Sequence, residues 1–132
     1  MVFSSLSKYK NAGLLVMRVG LGIAMSLHGY PKIMGGVARW RQLGEAMHIV
    51  HIHFFPVFWG FMAAATEFIG GILLILGLAF RITCLLLCFE MAIALLGHLS
   101  GGFSEYSHAL ELLIVFAGLF IIGAGRYSVD KK

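Results

Sequence analysis

The sequence predicts an all-α fold, a polytopic membrane four-helix bundle. Of the 132 residues, 60% are hydrophobic and only 12% are charged, which is too apolar for a soluble domain of this size. The apolar residues form four runs, at 12–28, 56–80, 82–98 and 108–124, each near the length of a helix that crosses about 30 Å of hydrocarbon. Since strict alternation of polar and apolar residues is absent, helices are favoured over a barrel. We expect residues 1–132 to form a single transmembrane domain.

The first run follows Lys8 and Lys10, as the apolar part of a signal peptide would. Arg18 interrupts that apolar stretch, however, and no small-residue cleavage site follows it. We therefore expect the run to be retained as the first membrane helix. It ends near His28.

The loop between the first two runs is the longest, at 29–55. Within it, apolar residues recur at helical spacing: Val37, Trp40, Leu43 and Met47. This pattern predicts a short interfacial helix in the first extracytoplasmic loop, lying on the membrane surface and capping one end of the bundle.

The second, third and fourth runs each contain one glutamate: Glu67, Glu90 and Glu111. Each glutamate falls on a stripe of small residues, and small residues let membrane helices pack closely. Because ionisable groups are costly in hydrocarbon, we expect all three carboxyls to point into the bundle, with Arg18 pairing with Glu67. The three glutamates outnumber the one arginine, which leaves an excess of carboxyl groups. We therefore expect at least one carboxyl to be protonated.

The basic residues lie at the helix ends and form no continuous face, which favours topology signals and argues against nucleic-acid binding. Three of them flank the first loop, namely Lys32, Arg39 and Arg41. Six fall on the side of the two termini and the second loop: Lys8, Lys10, Arg81, Arg126, Lys131 and Lys132. This imbalance predicts that both termini are cytoplasmic.

Several motifs together resemble the DoxX family of small four-helix bacterial membrane proteins. They are Arg18 with Gly22, the helix ending His28-Gly29 with Lys32, the segment Glu67-Phe68-Ile69-Gly70-Gly71, and His98. Glu111 and the closing segment Gly123-Ala124-Gly125-Arg126-Tyr127-Ser128-Val129-Asp130 complete the pattern. The resemblance implies a multi-pass protein of the bacterial inner membrane, associated in some relatives with quinone reduction or quinol oxidation.

On that resemblance we expect a subunit that works with a membrane or extracytoplasmic oxidoreductase. Its catalytic candidates are Arg18, Glu67 and Glu111, and its candidates for binding a quinone or relaying protons are His28, Lys32, Glu90, His98 and Trp59. One alternative is a non-catalytic assembly or scaffold protein, in which the polar cluster only specifies helix packing. Another is a small transporter of protons, metal or solute. The sequence also leaves open whether the protein forms a homo-oligomer.

The sequence leaves the cofactor open: the family resemblance makes a quinone the first candidate, with haem or metal as weaker alternatives. A metal ion would use His98, His108 and Glu111, since His-x-x-Glu places two ligands on one helix face; haem would lie between His28 and His98. The tract His48, His51 and His53 is expected to be solvated. Trp59 and its neighbouring phenylalanines favour an interfacial aromatic belt, with the lining of a quinone entrance as the alternative.

Overall fold

A computed structural model describes residues 2–131 and confirms the predicted helical class. The helices are α1 (Lys10–Met34), α2 (Gly36–Gly44), α3 (Pro56–Leu76), α4 (Phe80–His98) and α5 (Phe103–Ile122), with 3₁₀ turns at Ser4–Tyr9, Glu45–Val50 and Leu99–Gly101. Within the described range, the helices α1, α3, α4 and α5 are long and apolar enough to cross a membrane. The short helix α2 occupies the first loop, as predicted.

Two of the helix ends that differ from the sequence-based bounds affect the site. Helix α1 continues through Pro31 to Met34, although an interior proline removes a backbone donor and disfavours a helix. It ends at Gly35, directly before Gly36, whose φ is 78°. Helix α5 begins at Phe103, directly after Gly102, whose φ is 86°. These extensions place Lys32 and Glu105 on helices.

The membrane helices pack as two close pairs, α1 with α3 and α4 with α5, and α2 crosses α3. Glycines permit the closest approach: a Cβ on Gly22 of α1 would lie 2.5 Å from the Gly71 carbonyl oxygen of α3. In residues 2–131 no Cα atom of α1 lies within 8 Å of one of α5. A seam between the two pairs therefore remains, and buried side chains close most of it: Met25, Leu74, Phe80, Cys84, Leu87, Met91, Phe116, Leu119 and Ala124.

Both described chain ends meet at one end of the bundle, which we call the terminal end. The Arg126 amide donates to Asn11 Oδ1 at 3.1 Å. The Asp130 carboxylate accepts from the Ala79 and Phe80 amides at 3.1 and 2.8 Å and so caps α4 from a distant part of the chain. Helix α2 and the α4–α5 turn form the opposite, loop end. Which compartment each end faces stays a prediction, and Lys132 lies outside the described residues.

Candidate functional site

A pocket of about 240 Å³ opens between α1, α3, α4 and α5 near the loop end. Side chains of both helix pairs line it. Its polar lining consists of His28, Lys32, Glu67, His98, Glu105 and His108, and its apolar lining of Met25, Met91, Ala94, Ala109 and Leu112. Four sequence-predicted site residues are thus brought together: Glu67 of the catalytic candidates, and His28, Lys32 and His98 of the binding candidates.

An ion pair between α1 and α3 forms the floor of the pocket. The Lys32 ammonium donates to both carboxylate oxygens of Glu67, each at 2.8 Å, and the side chains are 27% and 6% exposed. Gly29 lets α1 approach α3 closely enough for this ion pair. A Cβ at residue 29 would lie 2.5 Å from the Phe68 amide nitrogen of α3. Lys32 follows Gly29 by about one helical turn and so lies directly beside Glu67. The Trp40 indole donates to the Lys32 carbonyl at 3.1 Å, which ties α2 to this end of α1.

Glu90 of α4 adds a second carboxyl to this ion pair. It lies near the Glu67 carboxyl and the charge of Lys32 but is not among the residues that line the pocket. One of its oxygens, Oε2, is buried and has no hydrogen-bond partner among the described residues. Two carboxyls and one ammonium carry a net charge of −1 when all are ionised, and one proton shared by the carboxyls makes the trio neutral.

Histidines from three helices line the wall above this trio. The rings of His28 and His108 have centroids 5.8 Å apart, which joins α1 to α5 across the seam. His98 places Nδ1 2.8 Å from the Ala94 carbonyl oxygen. Because a carbonyl only accepts, Nδ1 carries the proton and Nε2 remains free to accept or release one.

Glu105 is a pocket residue that the sequence reasoning missed. It lies in the first turn of α5 and lines the cavity together with His108. Its spacing of three from His108 places both on one helix face. This spacing could have identified Glu105 from the sequence. The metal hypothesis used the equivalent spacing from His108 to Glu111 instead.

Arg18 does not line the pocket, and the prediction that it forms an ion pair with Glu67 is wrong. The guanidinium is 1% exposed and lies at the terminal end. It donates to four main-chain carbonyls: from Nε to Leu74 at 3.1 Å, from Nη2 to Ile75 at 2.8 Å, and from Nη1 to Ala124 at 3.1 Å and Tyr127 at 2.9 Å. Arginine has five donors in a fixed fork, and here they join α1 to the end of α3 and to the segment after α5. Arg18 therefore holds helix ends together, far from the pocket.

Glu111 is exposed, and the prediction that it points inward is wrong. Glu105, His108, Ala109 and Leu112 are the pocket-lining residues of α5. Glu111 lies on a different side of that helix and makes no hydrogen bond or ion pair with the described residues. The proposed ligand set His98, His108 and Glu111 is not assembled, and residues 2–131 contain no cluster of three His, Cys, Asp or Glu side chains arranged for a metal ion.

Trp59 packs in an aromatic group outside the pocket. Its ring lies 5.1 Å from Phe58 and 6.3 Å from Phe54, measured between centroids, and its buried Nε1 has no partner in the described part of the chain. Nearby, the rings of His48 and His53 lie 4.5 Å apart and both residues are exposed. Neither group lines the cavity.

The comparison with family models finds DoxX over residues 13–99. That match covers more than half of the chain. The chain belongs to the DoxX family. DoxX proteins are membrane proteins, often associated with oxidoreductases, and the match includes Arg18, Lys32, Glu67, Glu90 and His98. No curated protein and no solved structure matches the chain.

Proposed function

We propose that this DoxX protein is a membrane subunit of a quinone-linked oxidoreductase, and that its pocket binds the quinone head group. The observation that carries the proposal is the convergence of three histidines and the Lys32–Glu67 ion pair on one apolar-walled cavity. Ligand sites typically combine apolar walls with a few convergent polar groups. A cavity of about 150 Å³ already holds benzene, so about 240 Å³ has room for a substituted ring.

The polar lining suits a ring that carries carbonyl oxygens. His28, His98 and His108 offer imidazole nitrogens, and Lys32 offers ammonium donors. Met25 and Met91 supply adaptable apolar surface. A bound quinone would supply two-electron chemistry coupled to protons, and in this proposal the electrons come from the partner oxidoreductase.

The acidic pair Glu67 and Glu90 gives the pocket a means of holding a proton. Because Glu90 Oε2 lacks a hydrogen-bond partner in residues 2–131 and Glu90 lies near Glu67, a proton can reside on either carboxyl. His98 Nε2 is the second proton-exchanging atom. We propose that protons pass between the loop end and the pocket through these groups.

Quinone binding by the purified protein tests the proposal. The protein in nanodiscs, with and without its partner, would be titrated with a short-chain ubiquinone and a short-chain menaquinone. Glu67→Gln and Ala94→Leu should each weaken binding by at least about tenfold, equivalent to about 1.4 kcal/mol, because the first removes the carboxylate charge that pairs with Lys32 in the floor and the second fills the cavity. Glu45→Gln and Ala24→Leu make the same changes at exposed positions outside the pocket and should leave binding unchanged. Absence of quinone binding under every condition would overturn the proposal.

A scaffold function is the second candidate, and the same ion pair supports it. Lys32–Glu67 joins α1 to α3, so its loss destabilises the bundle by leaving an unpaired buried charge. If the pair serves only packing, the double variant Lys32→Met/Glu67→Gln should restore both folded yield and oxidoreductase activity. If the pocket binds quinone, the double variant should restore the yield but not the activity.

A further inference from the structure

Lys32 carries the cation of the pocket floor on the last turn of α1, which is weakly held by α1 itself. Helix α1 ends at Met34, and the last carbonyls of a helix have no donor within it. Pro31, directly before Lys32, also lacks the amide hydrogen that would bond this turn to the preceding one. The Lys32 carbonyl accepts from the Gly35 amide at a long 3.3 Å. A donor from outside α1 can therefore fix the position of this turn.

The Trp40 indole of α2 is such a donor. Its Nε1 donates to the Lys32 carbonyl oxygen at 3.1 Å. The indole is itself held against α3, because its ring packs edge-on against Phe61 with centroids 5.0 Å apart. The Trp40 main chain also touches α3, since a Cβ at Gly60 would overlap the Trp40 carbonyl. Glu67 lies on the same helix, so Trp40 links the Lys32 main chain to the helix that carries its ion-pair partner.

We propose that Trp40 is a positioning residue, whose indole N–H keeps Lys32 where its ammonium reaches both carboxylate oxygens of Glu67. Trp40 does not line the pocket, so it acts only through Lys32. Without the N–H the last turn of α1 frays, and the long lysine side chain regains rotamers that do not reach Glu67. The effect on ligand binding rests on the proposed function: a floor with a displaced ammonium should bind quinone more weakly.

The distance between the Lys32 ammonium and the Glu67 carboxylate tests the positioning directly. Lys32–Glu67 is the one ion pair between a lysine and a carboxylate in residues 2–131. A dipolar coupling from ¹⁵N-labelled lysine to ¹³C-labelled glutamate carboxylate, measured in membranes, therefore reports on this pair, and Glu67→Gln should abolish it. Trp40→Phe keeps a ring beside Phe61 but removes the N–H. It should lower the coupling at least about twofold, as the loss of one hydrogen bond allows.

Trp59→Phe is the matched control. Its buried Nε1 has no hydrogen-bond partner in the part of the chain that the structure describes, so the same change there should leave the coupling unchanged. In the Trp59→Phe protein, the remaining tryptophan can also be replaced by its benzothiophene analogue, which keeps the ring size and lacks the N–H. This replacement should weaken the coupling even if Trp40→Phe folds poorly. An unchanged coupling in a folded protein without the Trp40 N–H, or an equal loss in Trp59→Phe, would overturn the proposal.

A double-mutant cycle for quinone binding tests whether Trp40 acts through the ion pair. Trp40→Phe should weaken the binding of a short-chain ubiquinone about threefold to tenfold. In the Lys32→Met/Glu67→Gln protein it should have no further effect, because the group that Trp40 positions is gone. Losses that multiply would overturn the positioning role. If the wild type binds no quinone but its ion-pair coupling still depends on the Trp40 N–H, the proposed function fails and the positioning of Lys32 stands.

Discussion

At the scale of single residues, Arg18 illustrates how a buried charge can be satisfied by the backbone alone. The carbonyls of Leu74 and Ile75 lie in the last turn of α3, where the helix dipole is negative and favours a cation. The Asp130 carboxylate is near enough to stabilise the guanidinium charge. Arg18 thus fixes the segment that follows α5 without any acidic partner in direct contact.

Arg18→Met is expected to destabilise the bundle by about 3–5 kcal/mol, because it leaves several buried carbonyls without donors. It should also release the segment after Ile122, which the guanidinium holds through Ala124 and Tyr127. Thermal unfolding in detergent and limited proteolysis of the C-terminal segment would measure the two effects.

Arg81→Met is the matched control for Arg18→Met. Arg81 also donates to main-chain carbonyls, those of Phe120 and Ile121, but it is exposed. Its loss should cost less than about 1 kcal/mol, since water can replace the donor. Equal losses of stability in the two variants would contradict the role assigned to Arg18.

At the scale of helices, close contact between α2 and α3 depends on glycine. A Cβ at Gly60 would overlap the Trp40 carbonyl, so Gly60→Ala should push α2 away and cost about 1–3 kcal/mol. Gly20→Ala places the same methyl group on α1 where nothing lies within 4 Å, and it should leave stability unchanged or raise it by up to about 1 kcal/mol. Thermal unfolding and tryptophan fluorescence, which reports on Trp40 and Trp59, would compare the two variants. Equal changes in stability for Gly60→Ala and Gly20→Ala would show that α2 can move away from α3 without destabilising the protein.

The helices themselves could be predicted from the sequence, but not every face that they bury. The stripe through Gly60, Glu67 and Gly71 does face inward, because small residues mark the close contacts of α3. The same reasoning fails for Glu111, since lipid is as apolar as the bundle interior and periodicity cannot separate a lipid-facing side from a buried one. The Lys32–Glu67 pair was not anticipated because the first apolar run ends near His28, which placed Lys32 in the following loop.

At the scale of the whole molecule, the two helix pairs are joined differently at their two ends. Hydrogen bonds that Arg18 donates and that Asp130 accepts close the terminal end, whereas the pocket, lined by His28 and His108, opens near the loop end. A ligand would therefore enter from the loop end or from the bilayer beside it. The orientation of the molecule decides which compartment supplies the protons and the partner protein.

The distribution of basic residues predicts that the terminal end is cytoplasmic, because lysine and arginine favour that side of membrane helices. Val129→Cys should then react with a membrane-impermeant maleimide only after the membrane that holds the protein is permeabilised. Val50→Cys, in the 3₁₀ turn after α2, should react while that membrane is intact. Both side chains are exposed, at 59% and 37%, and wild type controls for the native thiols. The reverse pattern would place the pocket mouth on the cytoplasmic side and require a cytoplasmic oxidoreductase partner.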